Sequence, residues 1–144
     1  MQIRQELPQF KNKFTFLLVS GKEHAVIYKA NNSNIKKISE IRVEKEKYSD
    51  KEGHFKRSGN RKVISSGAVY EDINKEHRLK EFIEEITKQF NKFKKIDEVY
   101  CFYPPYMKNR LKQVVEKFSS KNIYIKGNYT DNHPFALLEK IKNN

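Results

Sequence analysis

A chain of 144 residues with 30 lysines and arginines against 18 acidic residues carries a formal net charge of +12. That length suits one ordinary domain with its own core; the lone Cys101 excludes an internal disulfide, and four scattered histidines offer no zinc-ligand spacing. Apolar residues make up 37% of the chain in short periodic blocks, the longest far below a membrane span, and the excess of cations points to an anionic partner, RNA foremost.

Residues 1–13 read as a charged N-terminal extension without the apolar centre of a secretory signal, and 14–144 as a single domain. Phe14-Thr-Phe-Leu-Leu-Val-Ser20 is a continuous apolar run of the kind buried on both faces of a sheet. A tight turn at Gly21 leads into His24-Ala-Val-Ile-Tyr-Lys29, which predicts a hairpin. A third strand is expected from Ile35 to Glu44, with Ile35, Ile41 and Val43 on one face and Ile38 out of step.

Lys45 to Tyr70 has little periodicity and contains a Ser65-Ser-Gly67 break. Helical spacing begins after Asp72 or Asn74, either a candidate cap, and runs through Leu79, Phe82, Ile83, Ile86, Phe90 and Phe93. Asp97–Tyr103 is a second buried-type strand closed by Pro104-Pro105. Met107, Leu111, Val114, Val115 and Phe118 form another helical stripe, Ile123–Ile125 a short strand, and Pro134 opens a last helix. The order β-β-β-α-β-α-β-α implies an α/β fold, with three antiparallel strands continued by parallel ones in a mixed sheet.

The candidate site is the polar stretch Gly53-His-Phe-Lys-Arg-Ser-Gly-Asn-Arg-Lys62, which holds no acidic residue. Lys56, Arg57, Arg61 and Lys62 have the chemistry to contact phosphates, Gly59 permits close backbone approach, and Phe55 or Tyr48 offers a ring to an unpaired base. The same charges on a mobile loop would meet only water. Lys108, Arg110 and Lys112, continued by Lys117, Lys121 and Lys126, form a second basic set, equally readable as a solvated helix face. Tyr100, Phe102, Tyr103 and Tyr106 around the proline pair are either a stacking platform or core, with core the better reading. Cys101 reads as a small core residue, and Glu84 and Glu85 as solvated charge.

Taken in order, these motifs resemble the host attachment protein family ("protein required for attachment to host cells"). The resemblance rests on Phe14–Ser20 with its Gly21 turn, Gly53-His-Phe-Lys-Arg-Ser-Gly-Asn60, Asn74-Lys-Glu-His-Arg-Leu-Lys-Glu-Phe82, Val99–Pro105 and Gly127–Leu138. That family is similar to the middle domain of archaeal and eukaryotic class 1 peptide release factors, which implies the mixed sheet of translational-machinery components. In release factors the loop before the long helix carries Gly-Gly-Gln and promotes peptidyl-tRNA hydrolysis. The equivalent stretch here reads Arg57-Ser-Gly-Asn-Arg61, with one glycine and the shorter amide of Asn60.

Three functions follow as expectations. The first is a cytoplasmic, cofactor-free RNA-binding module, with tRNA or the ribosome as partner and no membrane. The second is an intracellular or host-attachment-type protein-interaction protein. The third is a hydrolase acting on peptidyl-tRNA, in which Asn60 would orient water.

Overall fold

The uninterrupted run Thr15–Ser20 forms β1, every residue of which is buried. Burial on both faces requires a central strand with layers above and below. The computed structural model meets that requirement; it describes residues 1–43 and 60–144, with side chains described for 1–43 and 75–144. β1 pairs antiparallel with β2 (His24–Asn31) through a turn in which the Gly21 amide donates to the His24 carbonyl at 2.7 Å. β2 pairs antiparallel with β3 (Asn34–Arg42). After α1 (Asn60–Asn91), β4 (Glu98–Tyr103) lies parallel to β1 on its other side. A short 3₁₀ turn at Pro105–Met107 leads into α2 (Lys108–Glu116), which returns the chain to β5 (Asn122–Lys126), parallel to β4. The closing helix is α3 (Pro134–Lys142). The sheet is therefore five-stranded and mixed, in the order β3-β2-β1-β4-β5.

Alternation along the strands sends side chains to two separate cores. Phe16, Leu18, Ile27, Val99 and Cys101 face α1 and α2, where Phe82, Ile86 and Phe90 from the first helix and Leu111, Val114 and Val115 from the second meet them. Phe16 lies 4.9 Å from Phe93 and 6.1 Å from Phe90, ring centre to ring centre, and Phe90 stacks on Phe118 at 5.6 Å. Leu17, Val19, Val26, Phe102 and Ile125 face the other way, onto Leu137 and Leu138 of α3.

That second core also takes Ile3, Leu7 and Phe10, all buried, from the stretch read in the sequence as an extension. Met1 and Ile3 bond along the start of β3, Ile35 N–H to the Met1 carbonyl at 2.8 Å and Ile3 N–H to the Ser33 carbonyl at 2.7 Å. Arg4 reaches Glu139 at 3.6 Å and covers the Phe135 ring at 5.2 Å. The first residues thus form the layer beside α3.

Two local features differ from the sequence reading. Tyr28 pairs with Lys37 and Ile27 with Ser39, so Ile38 is the extra residue of a β-bulge. The bulge reverses the facing of everything after it: Ile35 enters the α3-side core, whereas Ile38, Ile41 and Val43 pack on the α1 side. The long helix begins at Asn60, so Asp72 and Asn74 lie in its interior and cap nothing. Ser65, Ser66 and Gly67 are weak helix formers, but propensity is a small term that the rest of a 32-residue helix overrides.

Candidate nucleic-acid interface

Met107, Leu111, Val114 and Val115 are buried and pin one side of α2 to the sheet. Lys108, Arg110 and Lys112 fall between these anchors and are exposed. They do not share one flank, because positions two apart on a helix point away from each other. Lys108 and Lys112 lie one turn apart; Lys108 sits over the Tyr103 ring at 5.7 Å, and Lys112 approaches Glu116 at 3.9 Å. Arg110 turns toward α1, where it meets Glu76 at 3.5 Å.

The flank that Arg110 joins is one wall of a groove of about 850 Å³ between α1 and α2, floored by Ile83 and Val114. Lys80, Lys88, Arg110 and Lys117 line it together with His77. Against them stand Glu76 and Glu84. Both partners of the Arg110–Glu76 pair are well exposed, at 44% and 71%, so that link contributes at most about 1 kcal/mol and can be exchanged for a phosphate. The Lys88–Glu85 pair at 3.2 Å is of the same kind.

Of the remaining sequence candidates, Phe55, Lys56, Arg57 and Gly59, with Tyr48, lie outside the described residues. Asn60, Arg61 and Lys62 form the opening of α1, and their side chains lie outside the described set. The aromatic cluster divides: Phe102 and Tyr103 are buried, Tyr100 packs edge-on against Phe10 at 6.0 Å, and Tyr106 stands 61% exposed beside the proline pair. Cys101 is fully buried, and burial pushes its thiol up to about 12, which leaves no thiolate at neutral pH. Among the described residues no group of three His, Cys, Asp or Glu side chains is placed to hold a metal ion.

Two polar clusters were missed by reading along the chain. On β2 and β3, Glu40 accepts from Lys37 at 2.9 Å, lies 2.7 Å from His24 Nε2 and 3.2 Å from Arg42. The Lys37 ammonium, followed by His24, holds the Glu40 carboxyl down at about 2. The signal was present in the strand register, which sets His24 across from Arg42 and Val26 across from Glu40. The second cluster gathers lysines around Phe14 at the opposite end of the sheet from Tyr106: Lys29 and Lys95 lie 5.2 and 5.5 Å from the Phe14 ring centre. Compared with protein-family models and with curated proteins, the chain matches none.

Proposed function

We propose that this protein is an RNA-associated binding module, acting on tRNA or at the ribosome, and related to the middle domain of class 1 release factors through the host attachment family. The observation that carries the reading is the α1–α2 groove, in which four permanent cations and His77 face two carboxylates. In a chain of net charge +12 such a channel concentrates field on one line, and phosphate is the anion that its spacing along two helices suits. The opening of α1 adds to it. Asn60-Arg61-Lys62 starts the helix with no acidic residue in the first turn, and the positive end of a helix favours phosphate. Binding rather than hydrolysis is favoured by the loop, which has one glycine and Asn60 where release factors carry Gly-Gly-Gln.

Four phosphate contacts give a slope of log affinity against log salt of about −3 to −4. The test is binding of labelled tRNA and of ribosomes across a salt series, with the wild type beside two quadruple alanine variants, Lys80/Lys88/Arg110/Lys117 and Lys56/Arg57/Arg61/Lys62. Steep binding that both variants weaken supports the proposal. Feeble, salt-insensitive binding by all three proteins overturns it.

A further inference from the structure

The edge of the sheet where β1 and β4 begin gathers cations from four separate stretches of the chain. Lys13 immediately precedes β1, and its carbonyl accepts from the Asn31 side chain at 2.7 Å, which draws the end of β2 to the same place. Lys29 on β2 and Lys36 on β3 are directly opposed across the ladder. Lys94 and Lys95 come from the connection between α1 and β4, where Asp97 N–H donates to the Phe14 carbonyl at 2.9 Å. The half-buried Phe14 ring is the centre of the group, with the Lys29 and Lys95 ammonium groups both within cation–π reach.

These charges are not balanced locally. Asp97 spends one oxygen on the Phe14 amide, at 2.8 Å. Glu98 is buried and engaged by Thr15 and Lys121, at 2.9 and 3.4 Å. Among the described residues no carboxylate forms an ion pair with Lys29, Lys36 or Lys95. Two like charges opposed on neighbouring strands oppose folding. The negative end of α1 explains lysines at positions 94 and 95, but not those at 29 and 36.

The site is also continuous with the groove. α1 and α2 both run toward this edge, since each follows one strand and precedes another parallel to it. Lys88 and Lys117 line the end of the groove nearest the edge, and the edge lysines carry the same charge beyond it.

We infer that the lysine edge around Phe14 is a second RNA-binding surface, where a single strand leaving the α1–α2 groove lays its phosphates across Lys29, Lys36 and Lys95. An unpaired base then meets the Phe14 ring, a surface that accepts any base. This inference rests on the RNA-binding reading of the groove and adds a second footprint to it.

The test uses the full chain and a fluorescein-labelled oligouridine, read by anisotropy between about 50 and 300 mM salt, the range over which phosphate contacts dominate. The edge variant is Lys29→Gln/Lys36→Gln/Lys95→Gln, compared with the wild type and with the groove variant. Removing three phosphate contacts to a single strand should flatten the log–log slope by about 2. Its melting temperature should not fall, because an unfavourable charge pair has been removed. If the wild type does not bind, the RNA-binding reading itself fails, and this inference with it. If the wild type binds, the groove variant loses affinity and the edge variant keeps both affinity and slope, the edge inference alone is overturned. Binding of anionic phosphatidylserine vesicles through the edge lysines without any change in RNA binding overturns it as well.

Discussion

Gly127 carries the sharpest test of the backbone around the end of β5. Its φ is +138°, a region L side chains rarely enter, and its amide donates to the Tyr103 carbonyl at 2.8 Å, locking the exit from the strand. A Cβ placed there would stand 2.5 Å from Tyr129 Cε2, 2.8 Å from Cζ and 2.9 Å from the hydroxyl. The ring cannot retreat freely, because it lies edge-on to Phe102 at 5.5 Å with Lys140 over it at 5.8 Å. Gly127→Ala therefore adds backbone strain of about 1–3 kcal/mol. Loss of the aromatic pair adds about 0.5–1.5 kcal/mol. The sum, roughly 2–4 kcal/mol, corresponds to a fall of roughly 5–15 °C in Tm for a chain of this length. Urea and thermal melts by circular dichroism would measure it. In a Tyr129→Ala background the clash is gone and only the strain remains, so the two changes together should cost less than their sum by about 1 kcal/mol or more. Gly127→Ala within about 0.5 kcal/mol of the wild type, the range of an inert surface change, would refute the reasoning.

Thr15→Val should cost about 1–3 kcal/mol in urea denaturation, because it takes the 2.9 Å hydroxyl donor from the buried Glu98 carboxylate, whereas Thr15→Ser should be close to neutral; equal midpoints for both would show that Lys121 alone satisfies that carboxylate. Cys101, with its thiol raised to about 12 by burial, should resist thiol reagents at pH 8 until the protein is unfolded, and reaction as fast as that of a free thiol would place it at the surface. Glu40, whose carboxyl is held at about 2 against an ordinary 4.5, contributes stability that is complete above 4.5 and lost as the pH falls toward 2. Glu40→Gln should flatten the acid limb of the stability curve in that window, and an NMR titration of the Glu40 carboxyl with its midpoint near 4.5 would show that the cluster does not form.

The central strands could be read from the sequence because burial on both faces leaves a continuous apolar run, as in Thr15–Ser20, and the helix stripes because one buried face repeats, as in Phe82, Ile86 and Phe90. Ile38 was legible as a disturbance and not as a bulge, since only its pairing partners reveal that the strand beyond it is turned over. The layer formed by Ile3, Leu7 and Phe10 was hidden, because single apolar residues among charges carry no period. At the candidate site, the exposure of Lys108, Arg110 and Lys112 followed from the apolar positions between them. Their division between two flanks became meaningful only once α1 was in place to give Arg110 its groove. The lysine edge could not be read along the chain at all: a hairpin, a ladder and the turn after α1 bring Lys29, Lys36 and Lys95 together.

That edge also allows stability and binding to be separated by sign. A surface that served solubility alone would gain nothing from placing Lys29 opposite Lys36, because directly opposed like charges destabilise a ladder and opposed unlike charges stabilise it by about 0.2–1 kcal/mol. Lys36→Glu should therefore raise the urea midpoint slightly, as the new carboxylate pairs with Lys29. If phosphates cross this edge, the same change should weaken RNA binding and reduce the salt slope by about 1 or more, because a carboxylate that repels the phosphate replaces an ammonium that attracted it. A substitution that stabilises the fold cannot lower affinity by damaging it, so the two effects moving in opposite directions would locate the phosphate at the edge. A raised midpoint with unchanged RNA affinity would leave the opposed lysines without a role in binding and would remove the edge from the interface.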